Sequence, residues 1–123
     1  MGYCFHVTRA PEHWATNDGY EIAAEEWLRL VQDDTELALA GANGDYFTLW
    51  HGGSRYPDAW FNWAGGNIET KNPDAPMIQK MIQIGEQLNA RLQGDDGEVY
   101  LSGGKIERDG KVMEGSAWDW RAY

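Results

Sequence analysis

The sequence predicts an α+β fold: a mainly antiparallel sheet with two helices packed on one face, in a single domain. Two segments carry one apolar stripe each at helical spacing, and such stripes need a common surface to cover. Several shorter segments alternate apolar and polar side chains, as strands do in a sheet with one solvated face. The chain has 123 residues, 42% of them hydrophobic, with no repeat, low-complexity tract or linker to divide it. That length suits one core, without help from metal or disulfide.

In chain order, Tyr3, Phe5 and Val7 alternate with Cys4, His6 and Thr8, predicting a strand from Tyr3 to Arg9. Residues 10–17, with Pro11, read as a connector. Asp18 and Glu21 stand at capping-box spacing. Tyr20, Ala23, Ala24, Trp27, Leu28 and Val31 follow at helical spacing. A first helix is therefore expected from an Asp18 N-cap to about Val31, with Glu21, Glu25, Glu26 and Arg29 exposed. Residues 37–45 are small and contain glycine, which predicts a loop or a short edge strand. Residues 46–51 read as a strand ended by Gly52-Gly53-Ser54. Residues 59–63 and 67–71 form two more, joined through Ala64-Gly65-Gly66 as a hairpin. Pro73, Asp74 and Pro76 suit the opening of a second helix. Its stripe is Ile78, Met81, Ile82, Gly85, Leu88 and Leu92, with Gly94 as its stop. Residues 98–101 form a strand, and residues 106–113 a hairpin through Asp109-Gly110. The tail, with Trp118, Trp120 and Tyr123, is too aromatic to be left loose.

Charge narrows the function. Between Glu12 and Asp45 nine carboxylates face a single cation, Arg29, and the formal net charge is -10. Such a surface repels nucleic acid and anionic lipid and attracts a basic protein. A lone Cys4 forms no internal disulfide. No basic segment followed by a long apolar run opens the chain, and no stretch approaches bilayer-spanning length, so a cytoplasmic protein is expected. Met1-Gly2 lacks the Ser or Thr at position six that myristoylation requires.

No complete catalytic set is spelled out, and an enzyme is not expected. Cys4 and His6 would share one strand face, yet a zinc site needs three or four ligands at typical spacing; metal and cofactor are expected to be absent. Ser54 and Ser102 lie beside paired glycines but in no nucleophile elbow. Gly103-Gly104-Lys105 lacks the phosphate-loop arrangement. The pairs Glu25-Glu26, Asp33-Asp34 and Asp95-Asp96 lack the calcium-loop pattern, and solvated turns explain most of them. Asp33, Asp34 and Glu36 are different: they follow a helix end whose dipole disfavours them, which suggests that they face a partner. Trp60 and Trp63 must lie on opposite faces of their strand, so one leaves the helix-covered side. Large aromatics dominate binding hot spots. The expected partner surface joins Asp33, Asp34 and Glu36 to Trp50 and Trp60. The competing explanation is that the aromatic tail covers that sheet face.

Phe5-His6-Val7-Thr8-Arg9, Trp14, Glu25-Glu26-Trp27-Leu28, the segment from Ile68 to Asp74, Lys80-Met81-Ile82 and the run from Leu92 to Tyr100 resemble a family of small bacterial proteins of unestablished activity. The similarity spans most of the chain, with residues 37–58 and the tail least alike. The resemblance implies an immunity partner of a polymorphic or type VI secreted toxin, and it supplies no catalytic residues. On this reading the chain binds and occludes a cognate toxin, and an acidic inhibitor suits one acting on nucleic acid or a nucleotide. The alternative is a small ligand-binding domain or enzyme, with an aromatic pocket around Trp50, Trp60 and Trp63 for a sugar or nucleotide.

Overall fold

The structure, a computed structural model, describes residues 2–114. The expectation about the aromatic tail, Trp118 and Trp120 included, lies outside these residues. Along the chain run β1 (Cys4–Thr8), α1 (Ala24–Asp33), β2 (Leu37–Leu39), β3 (Phe47–Trp50), β4 (Trp60–Ala64), β5 (Asn67–Lys71), α2 (Ala75–Gln87), β6 (Arg91–Gly94), β7 (Val99–Leu101), β8 (Lys105–Arg108) and β9 (Lys111–Met113). The strands make one antiparallel sheet in the order β2-β3-β4-β5-β1-β6-β7-β8-β9. The fold is α+β, as the periodicities predict.

Register sorts the side chains. Val7 lies opposite Ile68 on one side and Leu92 on the other, and Leu92 opposite Tyr100, which faces Ile106. These residues and Phe61 are buried beneath Trp27, Leu30 and Val31 of α1 and Ile78, Met81 and Ile84 of α2. Burying each large apolar side chain contributes roughly 1.5–3 kcal/mol, so this face carries the fold. Glycine supplies the β4–β5 turn: Gly65 (φ 59°) and Gly66 (φ 92°) both have the positive φ of a two-residue hairpin. Asp109 and Gly110 do the same between β8 and β9.

The other face is covered at its centre by the β1–α1 connector. The Trp14 ring stacks on His6 with centroids 3.6 Å apart. Gln93 Nε2 donates to the Glu12 carbonyl, Asn67 Nδ2 to the Trp14 carbonyl, and Arg91 Nη2 to the carbonyls of Ala10, Pro11 and Glu12. The half of this face formed by β3 and β4 has no such cover among the described residues.

Two helix boundaries differ from expectation. The first helix begins at Ala24, not behind an Asp18 cap. Gly19 has φ 83°, Tyr20 is 50% exposed, and the Ile22 N–H donates to the Gly66 carbonyl, so tertiary pairing holds residues 19–22 out of the helix. The residue that does reach back is Glu26, accepting the Ala23 N–H at 3.0 Å. The second helix stops at Gln87, well before Gly94. Asn89 takes φ 53°, which a short polar side chain tolerates, and the chain turns into β6, placing Leu92 on a strand. The N-cap of α2 is Asp74, whose carboxylate accepts the Met77 and Arg55 N–H groups and the Ser54 hydroxyl. The loop at Ser54 is tied down by those bonds.

Candidate functional site

Asp33 is the last residue of α1, and Asp34 and Glu36 follow it into β2. Asp33 is exposed, on a groove of about 550 Å³ whose other walls include Arg29, Leu30, Gln87 and Leu88. The other two acids are held from below. Lys80, on α2 and only 9% exposed, donates to Asp34 Oδ2 at 2.6 Å and to Glu36 Oε1 at 3.0 Å. Glu36 also accepts the Trp50 indole N–H at 2.9 Å. Burial alone would raise the Asp34 carboxyl, but the bonds from Lys80 and the Glu36 N–H outweigh it and hold it below its ordinary value. Glu36 is lowered first by the Trp50 bond and then by Lys80. Burial opposes the charge on Lys80, yet the two carboxylates raise its pKa. The expectation that these acids lack an internal partner is therefore corrected for Asp34 and Glu36.

Trp50 is corrected as well. It is not an exposed aromatic: it is 6% accessible and turned to the helix side, 6.0 Å from the Phe61 ring centroid. Leu49, not Trp50, lies opposite Trp60, so Trp50 and Trp60 sit on opposite faces of the sheet. Trp60 does leave the helix-covered side, where it is half-buried and stacks on Phe47 at 5.1 Å. Trp63 goes the other way, donating its indole N–H to the Ile22 carbonyl at 2.7 Å and meeting Tyr46 edge-on. The expected surface thus divides in two. Asp34, Glu36 and Trp50 converge through Lys80; Trp60 stands apart with Phe47. Trp50, Trp60 and Trp63 do not enclose one aromatic pocket.

Further polar groups are gathered by the β6–β7 turn. Asp95 accepts from His6 Nε2 at 2.9 Å and from the backbone N–H of Cys4 at 2.8 Å. His6 is 5% exposed and Cys4 half-buried. Burial, then the carboxylates of Asp95 and Glu69, push the Cys4 thiol up, which disfavours the reactive thiolate. Glu98 is buried and takes the hydroxyls of Tyr3 at 2.6 Å and Tyr100 at 2.8 Å, with Arg108 4.0 Å away. Desolvation and that carboxylate raise both phenols far above their usual range. These groups link β1 to the β6–β7 turn.

Sequence reasoning missed Lys80 as an organising cation and Phe47 as the companion of Trp60. Lys80 had a signal, being a lysine next to the apolar position Met81 in the helix. Among the described residues no cluster of three or more His, Cys, Asp or Glu could hold a metal ion, and no helix is long and apolar enough to cross a membrane. No protein-family model, curated protein or solved structure matches the chain.

Proposed function

We propose that the chain is an immunity-type binding protein that holds a basic protein, a cognate secreted toxin, and blocks it without turnover of its own. The cytoplasm, where such an inhibitor would meet its toxin, is the compartment this reading expects. One observation carries it: among the described residues Arg9 and Lys80 reach the acidic segment from outside, and they pair with only three of its nine carboxylates. Arg9 makes a bidentate pair with Glu26 at 2.7 and 2.9 Å, Lys80 is buried against Asp34 and Glu36, and Arg91 is bound by backbone carbonyls. Glu21, Glu25, Asp33 and Asp45 remain exposed, with Arg29 the one cation in their stretch of chain. Of these acids Asp33 stands at the C-terminus of α1, where the dipole adds to its charge, and an excess of exposed carboxylates steers a positively charged partner. The association should be fast at low salt and end in steric occlusion. The test is affinity capture of the partner from the native host, followed by its rate of association at several ionic strengths. Salt-insensitive association, or capture of nothing above a charge-matched control protein, would count against the reading.

A further inference from the structure

We infer that Asn43 is a site of covalent self-modification, at which the folded chain converts the asparagine through a cyclic imide to isoaspartate and aspartate. The chemistry needs only the β2–β3 loop and water, and no partner.

Asn43-Gly44 is the one Asn-Gly pair in the sequence. Asn43 closes the single 3-10 turn Gly41–Asn43 between β2 and β3, and residues 41–45 are all exposed. Its side-chain amide has no hydrogen-bond partner among the described residues. Gly44 takes φ 144° and ψ 156°, a conformation that favours glycine, and a Cβ there would meet nothing closer than 3.7 Å. Two backbone bonds hold the turn: the Asn43 N–H to the Ala40 carbonyl at 2.9 Å, and the Gly44 N–H to the Gly41 carbonyl at a long 3.3 Å. Short 3-10 turns bond with poor geometry, and exposed ones open at little cost. The other five asparagines are placed differently. Asn72 precedes Pro73, which has no N–H. Asn62 and Asn67 lie within strands, ahead of Trp63 and Ile68. Asn17 gives its amide to the Gly65 carbonyl at 2.8 Å, and the nitrogen after Asn89 donates to the Gly85 carbonyl at 2.8 Å.

As the turn opens, the Gly44 nitrogen gives its proton to solvent base and attacks Cγ of Asn43. The new N–Cγ bond closes a five-membered imide. The Cγ–Nδ2 bond breaks, and that nitrogen leaves as ammonia with a proton from water. Water then opens the ring at either carbonyl. Attack at Cγ leaves aspartate; attack at the backbone carbonyl leaves isoaspartate, with the main chain now running through Cγ. One water enters and one ammonia leaves, with no oxidant or reductant. Glycine assists because it sets no side chain against the attacking nitrogen and turns freely into the ring geometry. Either product places a new carboxylate two residues before Asp45. Isoaspartate also adds a methylene to the backbone that joins β2 to β3.

The test incubates the full chain in heavy-oxygen water at mildly alkaline and mildly acidic pH and maps its peptides by mass spectrometry. A capped peptide of residues 41–46 serves as the clock. One heavy oxygen should enter at residue 43, with isoaspartate in excess of aspartate and faster conversion at the alkaline pH. The rate should lie within about thirtyfold of the peptide's, as an exposed turn that opens readily allows. Asn43→Gln, whose longer side chain closes a less favourable six-membered ring, should lose the uptake while melting like the parent. An isoaspartate-specific methyltransferase should label the incubated parent and leave this variant unlabelled. Uptake first at another asparagine, or equal labelling of Asn43→Gln, would overturn the inference. So would a rate at residue 43 more than about thirtyfold below the peptide's, because the turn would then stay closed until the whole chain unfolds.

Discussion

Replacing Lys80 by methionine should destabilise the fold by ~2 kcal/mol, although the new side chain fills much the same space. The lysine stem packs in the α2 interface, and methionine retains that packing. What is lost is a cation shared by two carboxylates. The bond to Asp34 is short, and the two side chains are 10% and 18% exposed, so water replaces it poorly. A charge-assisted bond of this kind is worth about 1.5–3 kcal/mol, and the lower end applies because Asp34 retains some access to solvent. Glu36 is 49% exposed, so its share is screened to about 0.5 kcal/mol. For a chain of this size the sum lowers the melting temperature by about 6–10 °C. Differential scanning calorimetry at neutral pH reads the loss. A double-mutant cycle with Asp34→Asn should show that the two changes are not additive. A melting temperature within about 2 °C of the parent would refute the reasoning, because the pair would then contribute as little as an exposed surface bridge.

Acid stability follows from Glu26, which the bidentate bond from Arg9 and the Ala23 N–H lower from 4.5 to about 2. A depressed carboxylate stabilises above its unfolded value, and that contribution is lost as pH falls from 4.5 towards about 2. Because the Glu26 side chain is 39% exposed, screening reduces the effect to ~1 kcal/mol. Urea titrations of Arg9→Gln across this window should show a shallower slope than the parent; equal slopes would exclude the pair as a contributor. In the β4–β5 turn, Gly66→Ala should cost ~2 kcal/mol or more, since its Cβ would lie 2.6 Å from Glu21 Cβ at φ 92°. Gly65→Asn, at φ 59° with nothing within 4 Å, should be near neutral; thermal melts of the two variants separate the contact from the turn. Trp14→Ala removes the ring over His6 and should free the connector, seen as faster amide hydrogen exchange around residues 10–17 than in β5.

The strands were legible because their side chains alternate and their turns are marked: Gly65-Gly66 and Asp109-Gly110 punctuate hairpins wherever they stand. The helix limits were not. Asp18 and Glu21 satisfy a capping box in sequence, yet Ile22 pairs with Gly66, a partner distant along the chain. Leu88 and Leu92 keep helical spacing, and only the left-handed turn at Asn89 separates them into a helix end and a strand. The proposed surface failed as a unit for a related reason. Alternation reveals that Trp60 and Trp63 diverge, but whether Trp50 is covered depends on where α2 lies across the sheet. The acids after α1 lack a local cation, and Lys80 comes from a different helix. Charge imbalance in a sequence is therefore a poor guide to which carboxylates are free until the long-range pairs are known.

The proposed function requires that a basic protein be drawn to the exposed acids of this chain. The most direct measurement is the association rate of the captured partner as sodium chloride is raised from low to high concentration. A fall of about tenfold or more is expected, with the dissociation rate changing far less. An association rate that stays constant across that range would contradict it.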